Sequence, residues 1–321
     1  MGKGQITVVG MDQIGASLVL AIKQQLPNSL VVGADPDIRR LRDVMKLGKL
    51  DRNDSNLVVA CRDASLIIIS QPPSQLRDTL TQIGPHLPAG AVVLDMAPVK
   101  SEVLAWAGAL LPRGVHHLGC HLILHPAAAD LEKAEPRADL FHGSILAMTP
   151  TPDTDEIAIK SGSDLARVIG ARPYFMDVFE HDGLLAAVEG MPGLVSAALL
   201  LAATRSSSWN ELSQVAGSIF ADATHAAAHP SLDRGAALTM NRVDVLRWLD
   251  TFLDVLKEVR QAVNDGDVEK LNALLSEATQ LRLEWLAAKP IAPWDDQNVM
   301  PGPPHELNRM DPLMPGWGQK S

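Results

Sequence analysis

The residues most suggestive of chemistry form the first turn of the chain. An apolar stretch ending at Val9 runs into Gly10 and Gly15, which are spaced like the first and last glycines of a G-x-G-x-x-G turn. In such a turn, backbone amides at a helix N-terminus hold the pyrophosphate of a dinucleotide. Asp12 stands where the middle glycine is expected. The predicted cofactor-binding residues of this turn are Gly10, Asp12, Gln13, Ile14 and Gly15.

Asp12 leaves two interpretations open. A carboxylate ~5 Å from one pyrophosphate charge costs about 3 kcal/mol at an effective dielectric of ~20, or roughly two decades of affinity. If the carboxylate points away, a dinucleotide still binds, but more weakly. Alternatively, Asp12 caps the helix and bonds the amides that would otherwise hold phosphate. In that case the protein has blocked its own anion site.

Asp35 lies at the end of the second predicted strand, twenty residues after Gly15. At this spacing an acidic residue hydrogen-bonds the adenosine ribose hydroxyls of NAD and disfavours the phosphate of NADP. The competing interpretation is a surface turn, Asp35-Pro-Asp37. Gln71 and Pro72, just after another predicted strand, are further cofactor-binding candidates. The sequence therefore predicts NAD as the cofactor, with NADP less favoured.

A histidine cluster offers a candidate general base. It comprises His116, His117, His121 and His125. A metal site is not expected here, because the spacing is not that of coordinating ligands and no carboxylate is interleaved. A single histidine at the carboxyl edge of a sheet suits proton transfer, since its pKa lies near working pH. His121 is the candidate.

A second histidine pair is also not expected to bind metal. His225 and His229 are four residues apart, but Pro230 follows at once. No metal site is predicted anywhere in the chain.

The elements that must position these residues fall into two parts. Short, continuous apolar strands alternate with helical stretches in the first part, which predicts βα units and a parallel sheet buried on both faces. The predicted strands are Ile6–Val9, Leu30–Gly33, Leu66–Ser70, Val92–Asp95, His117–Cys120, Ile145–Thr149 and Pro173–Met176. The prediction is an α/β Rossmann-type dinucleotide-binding domain over residues 1–178.

An all-α domain is predicted over residues 179–288, where the strand signal disappears. Val245, Leu249, Phe252, Leu256 and Val259 form one amphipathic stripe. A second stripe runs from Leu271 to Trp285, with Asp267 as its expected N-cap. An apolar helix over about 194–204 should be buried all round or against a second subunit. The Pro- and Gly-rich residues 289–321 should form an irregular tail.

Composition limits the classes of partner. The chain has 321 residues, a net charge of −10 and scattered Lys and Arg, which argues against nucleic acid or an anionic membrane as the main partner. Two cysteines are too few for a disulfide scaffold. No signal-peptide segment is recognised, and the apolar stretch around 194–203 is too short for a membrane span. A soluble cytoplasmic protein is expected.

Several motifs together resemble the prephenate dehydrogenase family over about residues 5–260. They are Asp139-Leu-Phe-His-Gly143, Thr149-Pro-Thr-Pro-Asp-Thr-Asp155, Gly170-Ala-Arg-Pro-Tyr-Phe-Met-Asp177 and Glu180-His181-Asp182. The loop from Asp95 to Lys100 is similar to the family's D-x-G-S-V-K loop, and Gly119-Cys-His121 is similar to its G-G-H-P motif.

The resemblance implies an NAD(P)-dependent oxidative decarboxylation of prephenate, or of arogenate, in tyrosine biosynthesis. In the family a histidine takes the ring hydroxyl proton, and His121 aligns with it. Lys100 is the other residue carried over as catalytic. The implied architecture is a nucleotide-binding domain followed by a helical dimerisation domain, with the active site between them, in a homodimer.

Three substrate-binding positions depart from the family pattern. Pro98 replaces a serine beside the catalytic histidine and cannot donate a hydrogen bond. The S-H-x-P-H motif becomes Glu189-Gly190-Met-Pro192-Gly193, so Gly190 replaces its first histidine. His225 replaces an arginine expected to clamp a substrate carboxylate, and losing such a permanently charged fork typically costs several kcal/mol.

Three functions are compatible with this pattern. The first is a working dehydrogenase for prephenate or a related acid, with Lys100, His225, Arg234 or Arg242 replacing the lost clamp. The second is an NAD-dependent dehydrogenase for a less anionic substrate. The third is a non-catalytic binding or regulatory dimer of the same fold, with its nucleotide site sealed by Asp12.

Overall fold

The structure, a computed structural model, describes residues 4–125, 135–228 and 234–288. The chain divides into two compact units, which we call the sheet unit and the helical unit. Of the described residues, the sheet unit takes in those up to Asp182 and also Arg234–Met240, whereas the helical unit comprises 183–228 and 241–288. The division falls after Asp182 rather than after residue 178, the expected boundary. The expected tail, 289–321, lies outside the described residues.

The sheet unit is built on one eight-stranded sheet in the order β3-β2-β1-β4-β5-β6-β7-β8. Its strands are β1 (Gln5–Val9), β2 (Leu30–Ala34), β3 (Arg52–Asp54), β4 (Ala64–Ile69), β5 (Val92–Asp95), β6 (His116–Ile123), β7 (Ile145–Thr149) and β8 (Arg172–Phe175). Neighbouring strands pair in parallel except β6 and β7, which pair antiparallel. This arrangement confirms the Rossmann-type fold expected from the sequence.

Two buried hydrophobic clusters explain why the central strands are continuously apolar. In β4, for example, Ile67 packs into one cluster and Ile68 into the other, and both are fully buried. A strand covered on both faces favours apolar side chains at consecutive positions. The helices of this unit are α1 (Gln13–Gln25), α2 (Ile38–Lys46), α3 (Leu57–Cys61), α4 (Pro73–Ile83), α5 (Ser101–Leu110), α6 (Glu156–Ile169), α7 (Val178–Leu185, which continues past Asp182) and α11 (Arg234–Met240).

Strand β6 extends beyond the carboxyl end of its parallel neighbour β5. Asp95, the last residue of β5, pairs with Gly119, whereas His121 pairs with Ala147 of the antiparallel strand β7. The strand is longer than the expected segment His117–Cys120. His121 is therefore fixed in regular sheet at the edge where β1, β4 and β5 end.

The helical unit confirms the predicted all-α second part. After the last residues of α7 it contains α8 (Met191–Thr204), α9 (Trp209–Val215), α10 (Ser218–Thr224), α12 (Arg242–Asp265) and α13 (Val268–Ala288). Asp267 precedes α13 and accepts a 2.9 Å hydrogen bond from the Lys270 amide, as expected for its N-cap. A π-helical turn, Ala186–Gly190, joins α7 to α8 just before Pro192. Because proline lacks an amide hydrogen and crowds the preceding turn, the wider turn fits there.

The helix that results is longer than the sequence analysis expected. Val178–Thr204 is continuous, and its length and mean hydropathy of 1.9 would suffice to cross a membrane by those two criteria alone. The expectation based on the shorter stretch 194–203 was therefore wrong about length. The same helix carries His181 and Asp182, which are polar and buried among residues of the sheet unit.

Within residues 183–228 and 241–288, many apolar side chains of the helical unit are exposed. On α8, Leu199 and Leu201 are 42% and 44% exposed, so this helix is not buried all round within one chain. Val215 and Ile219 are 80% and 86% exposed beside a groove of about 620 Å³ between α8, α9 and α10. Monomeric proteins rarely leave such contiguous apolar surface in water.

Candidate active site

The glycine turn is tightly packed against the end of β4. Gly10 has a φ of +94°, and a Cβ on it would lie 2.0 Å from the Ser70 carbonyl oxygen. A Cβ on Gly15 would lie 1.8 Å from the Gly10 carbonyl oxygen. Neither position can carry a side chain without moving the backbone. The structure thus forms the turn that the sequence predicts, followed directly by α1.

Asp12 is the N-cap of α1. Its carboxylate accepts a 2.9 Å hydrogen bond from the Gly15 amide, and Gln13 and Ile14 open the helix beside it. Burial raises the pKa of Asp12, and this outweighs the opposing effects of the Gly15 hydrogen bond and the positive charge of Arg40. This geometry agrees with the interpretation in which Asp12 caps the helix, because the Gly15 amide, one of those expected to hold phosphate, already bonds the Asp12 carboxylate.

Asp35 is buried at the end of β2, next to the same turn. Its Oδ2 accepts a 2.8 Å hydrogen bond from the Met11 amide, and its Oδ1 accepts one of 2.8 Å from the Asp37 amide. The Arg40 guanidinium lies 3.6 Å from Oδ2. Asp35 is therefore part of the frame that holds the glycine turn, and it is not the exposed turn residue of the competing interpretation.

Gln71 and Pro72 follow β4 on the other side of the turn. The Gln71 side-chain oxygen accepts a 2.6 Å hydrogen bond from the Thr79 hydroxyl of α4. Pro72 precedes the first residue of α4 at its N-cap position. The structure thus gathers all the predicted cofactor-binding residues around the carboxyl ends of β1, β2 and β4.

Lys100 forms a buried ion pair with Asp95, the last residue of β5. Its Nζ lies 2.5 Å from Asp95 Oδ1 and donates a hydrogen bond of 2.5 Å to the Cys120 carbonyl. His117 Nε2 lies 2.9 Å from the other oxygen of Asp95. Burial alone would raise the pKa of Asp95, but the charge on Lys100 and the His117 contact lower it to about 2. Lys100 and Asp95 therefore carry opposite charges at neutral pH.

Gly119 makes room for this ion pair. A Cβ at Gly119 would lie 2.6 Å from the Thr149 hydroxyl and 3.0 Å from Lys100 Cδ. Lys100 thereby links the end of β5 to β6 immediately before His121. Its contacts indicate that it fixes the strand carrying the predicted base, and its role in catalysis stays a prediction.

His121 belongs to a chain of three hydrogen-bonded side chains. Its Nδ1 lies 3.1 Å from His181 Nε2, and His181 Nδ1 lies 2.9 Å from Asp182 Oδ1. The Asp182 carboxylate also accepts hydrogen bonds from the Lys100 amide (2.8 Å), the Ser101 amide (2.9 Å) and the Ser101 hydroxyl (2.6 Å). Asp182 is thus held at the N-terminus of α5, where a negative charge is favoured.

Burial sets the charge state of this chain of residues. It lowers the pKa of His121 well below the ordinary value, and the positive charge on Lys100 and the nearby His181 add to the effect. Burial also lowers the pKa of His181, and this effect outweighs the hydrogen bond with Asp182, which raises it. Burial would raise the pKa of Asp182, but its hydrogen bonds bring it below the usual range. At neutral pH the histidines are neutral and Asp182 is ionised.

Two family profiles match consecutive segments of this chain. Residues 18–175 match the prephenate dehydrogenase nucleotide-binding domain, and residues 177–277 match the prephenate dehydrogenase dimerization domain.

The chain belongs to the prephenate dehydrogenase family.

Individual relatives agree with the prephenate dehydrogenase assignment. The chain is 26% identical to a Bacillus subtilis prephenate dehydrogenase over 84% of this chain and 72% of that protein. It is 26% identical to a Zymomonas mobilis cyclohexadienyl dehydrogenase over 87% and 94%. The crystal structure of A. aeolicus prephenate dehydrogenase, in complex with hydroxyphenyl propionate and NAD+, has a TM-score of 0.79 at 20% identity over 88% and 99%. The chain is an oxidoreductase of the prephenate dehydrogenase type.

The three departures from the prephenate dehydrogenase pattern fall in both units. Pro98 is half-buried in the loop between β5 and α5, in the sheet unit. Gly190 ends the π-helical turn, and His225 is exposed at the start of a short 3-10 turn after α10, both in the helical unit. Their substrate-binding roles stay predictions.

Sequence reasoning did not assign roles to His181, Asp182 or Asp95. In the sequence, Glu180-His181-Asp182 contributes only to the prephenate dehydrogenase resemblance. The feature that could have identified these residues is an ionisable pair, His181 and Asp182, at the start of an otherwise apolar helix. If such side chains are buried, each needs a hydrogen-bond or ion-pair partner. In residues 4–125, 135–228 and 234–288, no three His, Cys, Asp or Glu side chains converge as metal ligands. His229 lies outside those ranges.

Proposed function

We propose that this chain catalyses the NAD-dependent oxidative decarboxylation of prephenate or a related cyclohexadienyl acid, with His121 as the general base. The observation that carries the proposal is the position of His121, a buried imidazole fixed on β6 beside the carboxyl edge of the sheet and in contact with His181. Because burial lowers its pKa, this imidazole is neutral at neutral pH and can accept a proton. The named relatives act on this class of substrate.

In the proposed reaction, His121 takes the proton of the substrate's ring hydroxyl as the carbon bearing it is oxidised to a carbonyl. NAD, when bound, accepts the hydride from that carbon. Loss of carbon dioxide then leaves its electron pair in the ring, which becomes aromatic. Lys100 and Asp95 hold β6 in place, so that His121 meets the hydroxyl from a fixed position.

The residues of the first turn fit a dinucleotide, with one change required. The close packing at Gly10 and Gly15 forms the turn, and Asp35 stands at the end of β2 as the residue for the adenosine ribose of NAD. Asp12 must release the Gly15 amide before that amide can bond a phosphate oxygen. The cofactor is therefore NAD, bound more weakly than it would be by an all-glycine turn.

We propose further that the protein is a homodimer formed through the helical unit and works in the cytoplasm, in tyrosine biosynthesis. The match of residues 177–277 to a dimerization domain supports the dimer. So do the exposed apolar side chains of α8, α9 and α10. Burying such a surface in a second copy would remove it from water.

A second function is favoured by one observation. Asp12 already bonds the Gly15 amide, as in a protein whose nucleotide site has lapsed and whose remaining role is binding or regulation. The presence of His225 where an arginine is expected favours a third function, oxidation of a less anionic substrate. These three functions differ in whether NAD binds and in which substrate is oxidised.

The test combines calorimetric titration of NAD+ with an assay of NADH absorbance using prephenate and arogenate. The expected result is micromolar binding, equivalent to about −8 kcal/mol, and NADH formation with at least one substrate. His121→Asn should bind NAD+ equally well and lose about 10²- to 10⁴-fold in turnover. Binding only after Asp12→Gly would establish a lapsed site. Binding without turnover of either acid would contradict the proposed activity on prephenate or arogenate.

A further inference from the structure

The hydrogen bonds around His181 determine where its protons lie. Asp182 is ionised, and Lys100 and Ser101 already donate to both of its oxygens. At 2.9 Å from Asp182 Oδ1, His181 Nδ1 must carry a hydrogen, because a carboxylate can only accept. A neutral His181 with a hydrogen on Nδ1 has a lone pair on Nε2.

The lone pair on His181 Nε2 in turn determines which nitrogen of His121 carries a hydrogen. His181 Nε2 faces His121 Nδ1 at 3.1 Å, so His121 Nδ1 must donate. A neutral His121 with its hydrogen on Nδ1 has its lone pair on Nε2, which is then the nitrogen able to accept a proton. The two rings meet edge to face, at 69° and 5.2 Å between centroids, which allows this bond between ring edges.

We propose that His181 is a positioning residue that, anchored by Asp182, holds His121 in the Nδ1–H tautomer and so presents Nε2 as the base. When Nε2 takes the substrate proton, the imidazolium keeps its Nδ1–H bond to His181. The negative charge of Asp182 stabilises the new positive charge through that bond. The catalytic consequence rests on the proposed function, whereas the tautomer does not.

The first experiment reads the tautomer without any turnover. Selectively ¹⁵N-labelled histidine rings are observed by NMR at neutral pH, and the His121 signals are assigned from their loss in His121→Gln. The expected result is a protonated Nδ1 and an unprotonated Nε2 on His121. The opposite tautomer, or rapid averaging of the two, overturns the proposal whatever the protein's substrate is.

Two variants then separate positioning from packing. His181→Phe keeps the ring but offers no acceptor, whereas the amide oxygen of His181→Gln can accept the bond from His121. His181→Phe should lose about 10- to 100-fold in kcat with NAD+ affinity unchanged, and His181→Gln should restore most of the turnover and the Nδ1–H tautomer. His86→Gln, at an exposed histidine of the same unit, is the control and should change neither readout.

The outcomes of the two experiments are distinguishable. A folded His181→Gln that is as slow as His181→Phe overturns the positioning role, because packing alone would then explain the loss. If His181→Phe does not fold, the NMR spectrum of the natural protein and of His181→Gln decides the proposal. The expected tautomer together with no oxidation of prephenate or arogenate would count against the proposed function and leave the tautomer inference standing.

Discussion

The carboxylate of Asp12 bonds the backbone amide of Gly15 at 2.9 Å, in the turn where the fold would place the pyrophosphate of a dinucleotide. Replacing Asp12 by glycine should remove both the charge and the competing acceptor. We expect Asp12→Gly to tighten NAD+ binding by about 10- to 100-fold, on the basis of an electrostatic penalty of about 3 kcal/mol before solvent screening. Calorimetric titration measures this change.

Asp12→Asn separates the charge from the cap. Asparagine is also a good N-cap, so its side chain can keep the Gly15 bond while the charge is lost. An affinity between those of the natural protein and Asp12→Gly is expected. Equal affinities in all three proteins would show that Asp12 moves away at no cost when NAD+ binds.

Features that depend on local sequence could be predicted. The glycine turn, the buried strands β1, β4 and β5, and the Asp267 cap of α13 each follow from residue type and periodicity within a short window. Strand β3 could not be predicted, because Arg52, Asn53 and Asp54 form a polar three-residue edge strand that is defined only by its pairing with β2. The antiparallel direction of β7 likewise depends on its partner, because an apolar run does not encode direction.

The candidate site was predictable only in part, for the same reason. His121 could be selected because a histidine near a sheet edge suits proton transfer. Its partner His181 is sixty residues away, and no spacing rule connects them. Lys100 was predicted as catalytic from its motif, but its burial against Asp95 and the Cys120 carbonyl appears only once β5 and β6 are side by side.

Lys100→Met should destabilise the sheet unit strongly. The substitution keeps most of the buried stem but leaves the buried Asp95 carboxyl group without its cation. Breaking a buried pair in this way typically costs about 3–5 kcal/mol. Urea unfolding measures the free energy. Lys46→Met is the matched control, since the Lys46–Asp43 pair is exposed on both sides and should contribute less than about 1 kcal/mol. Equal effects of the two substitutions would contradict the role given to Lys100.

The stability of the protein should fall as the pH drops below the ordinary histidine pKa of 6.5. Burial lowers the pKa of His121 in the folded state, so the unfolded chain binds its proton first. The stabilisation is complete above pH 6.5 and is lost below it, at up to about 1.4 kcal/mol per pH unit. His121→Gln should show a shallower slope in urea unfolding across this range. A slope as steep as that of the natural protein would assign the acid sensitivity to other groups.

A separate loss is expected at lower pH from Asp95. Lys100 and His117 lower the pKa of Asp95 to about 2 in the folded protein. The ionised carboxylate therefore contributes to the free energy of unfolding above pH 3.8, the unfolded pKa, and this contribution disappears as the pH approaches 2. The contribution is about 2 kcal/mol. Stability of the natural protein, followed by circular dichroism during acid unfolding, should therefore continue to fall below pH 4. Stability that stays level from pH 4 to pH 2 would contradict this assignment.

Ile219→Asp should weaken the proposed dimer. Ile219 is 86% exposed in the single chain, beside the groove between α8, α9 and α10. Burying a charge in an apolar interface without a partner is costly, so dissociation should occur at a higher protein concentration. Light scattering after gel filtration measures the mass. Thr81→Asp adds the same charge to the exposed face of α4 and should leave the mass unchanged. A dimer that is unaffected by Ile219→Asp would place the interface elsewhere.

Strand β6 has a consequence for how this site can diverge. His121 lies in regular sheet, where its backbone pairs with β7 and the preceding Cys120 carbonyl accepts a hydrogen bond from Lys100. The half-buried Pro98 lies instead in the loop that follows β5. If Pro98 contacts the substrate, as the sequence predicts, a substitution at this one position would alter which acid is recognised while the proton acceptor stays in place. On that prediction the fold separates the choice of substrate from the chemistry performed on it, so that one can change over evolutionary time at little risk to the other.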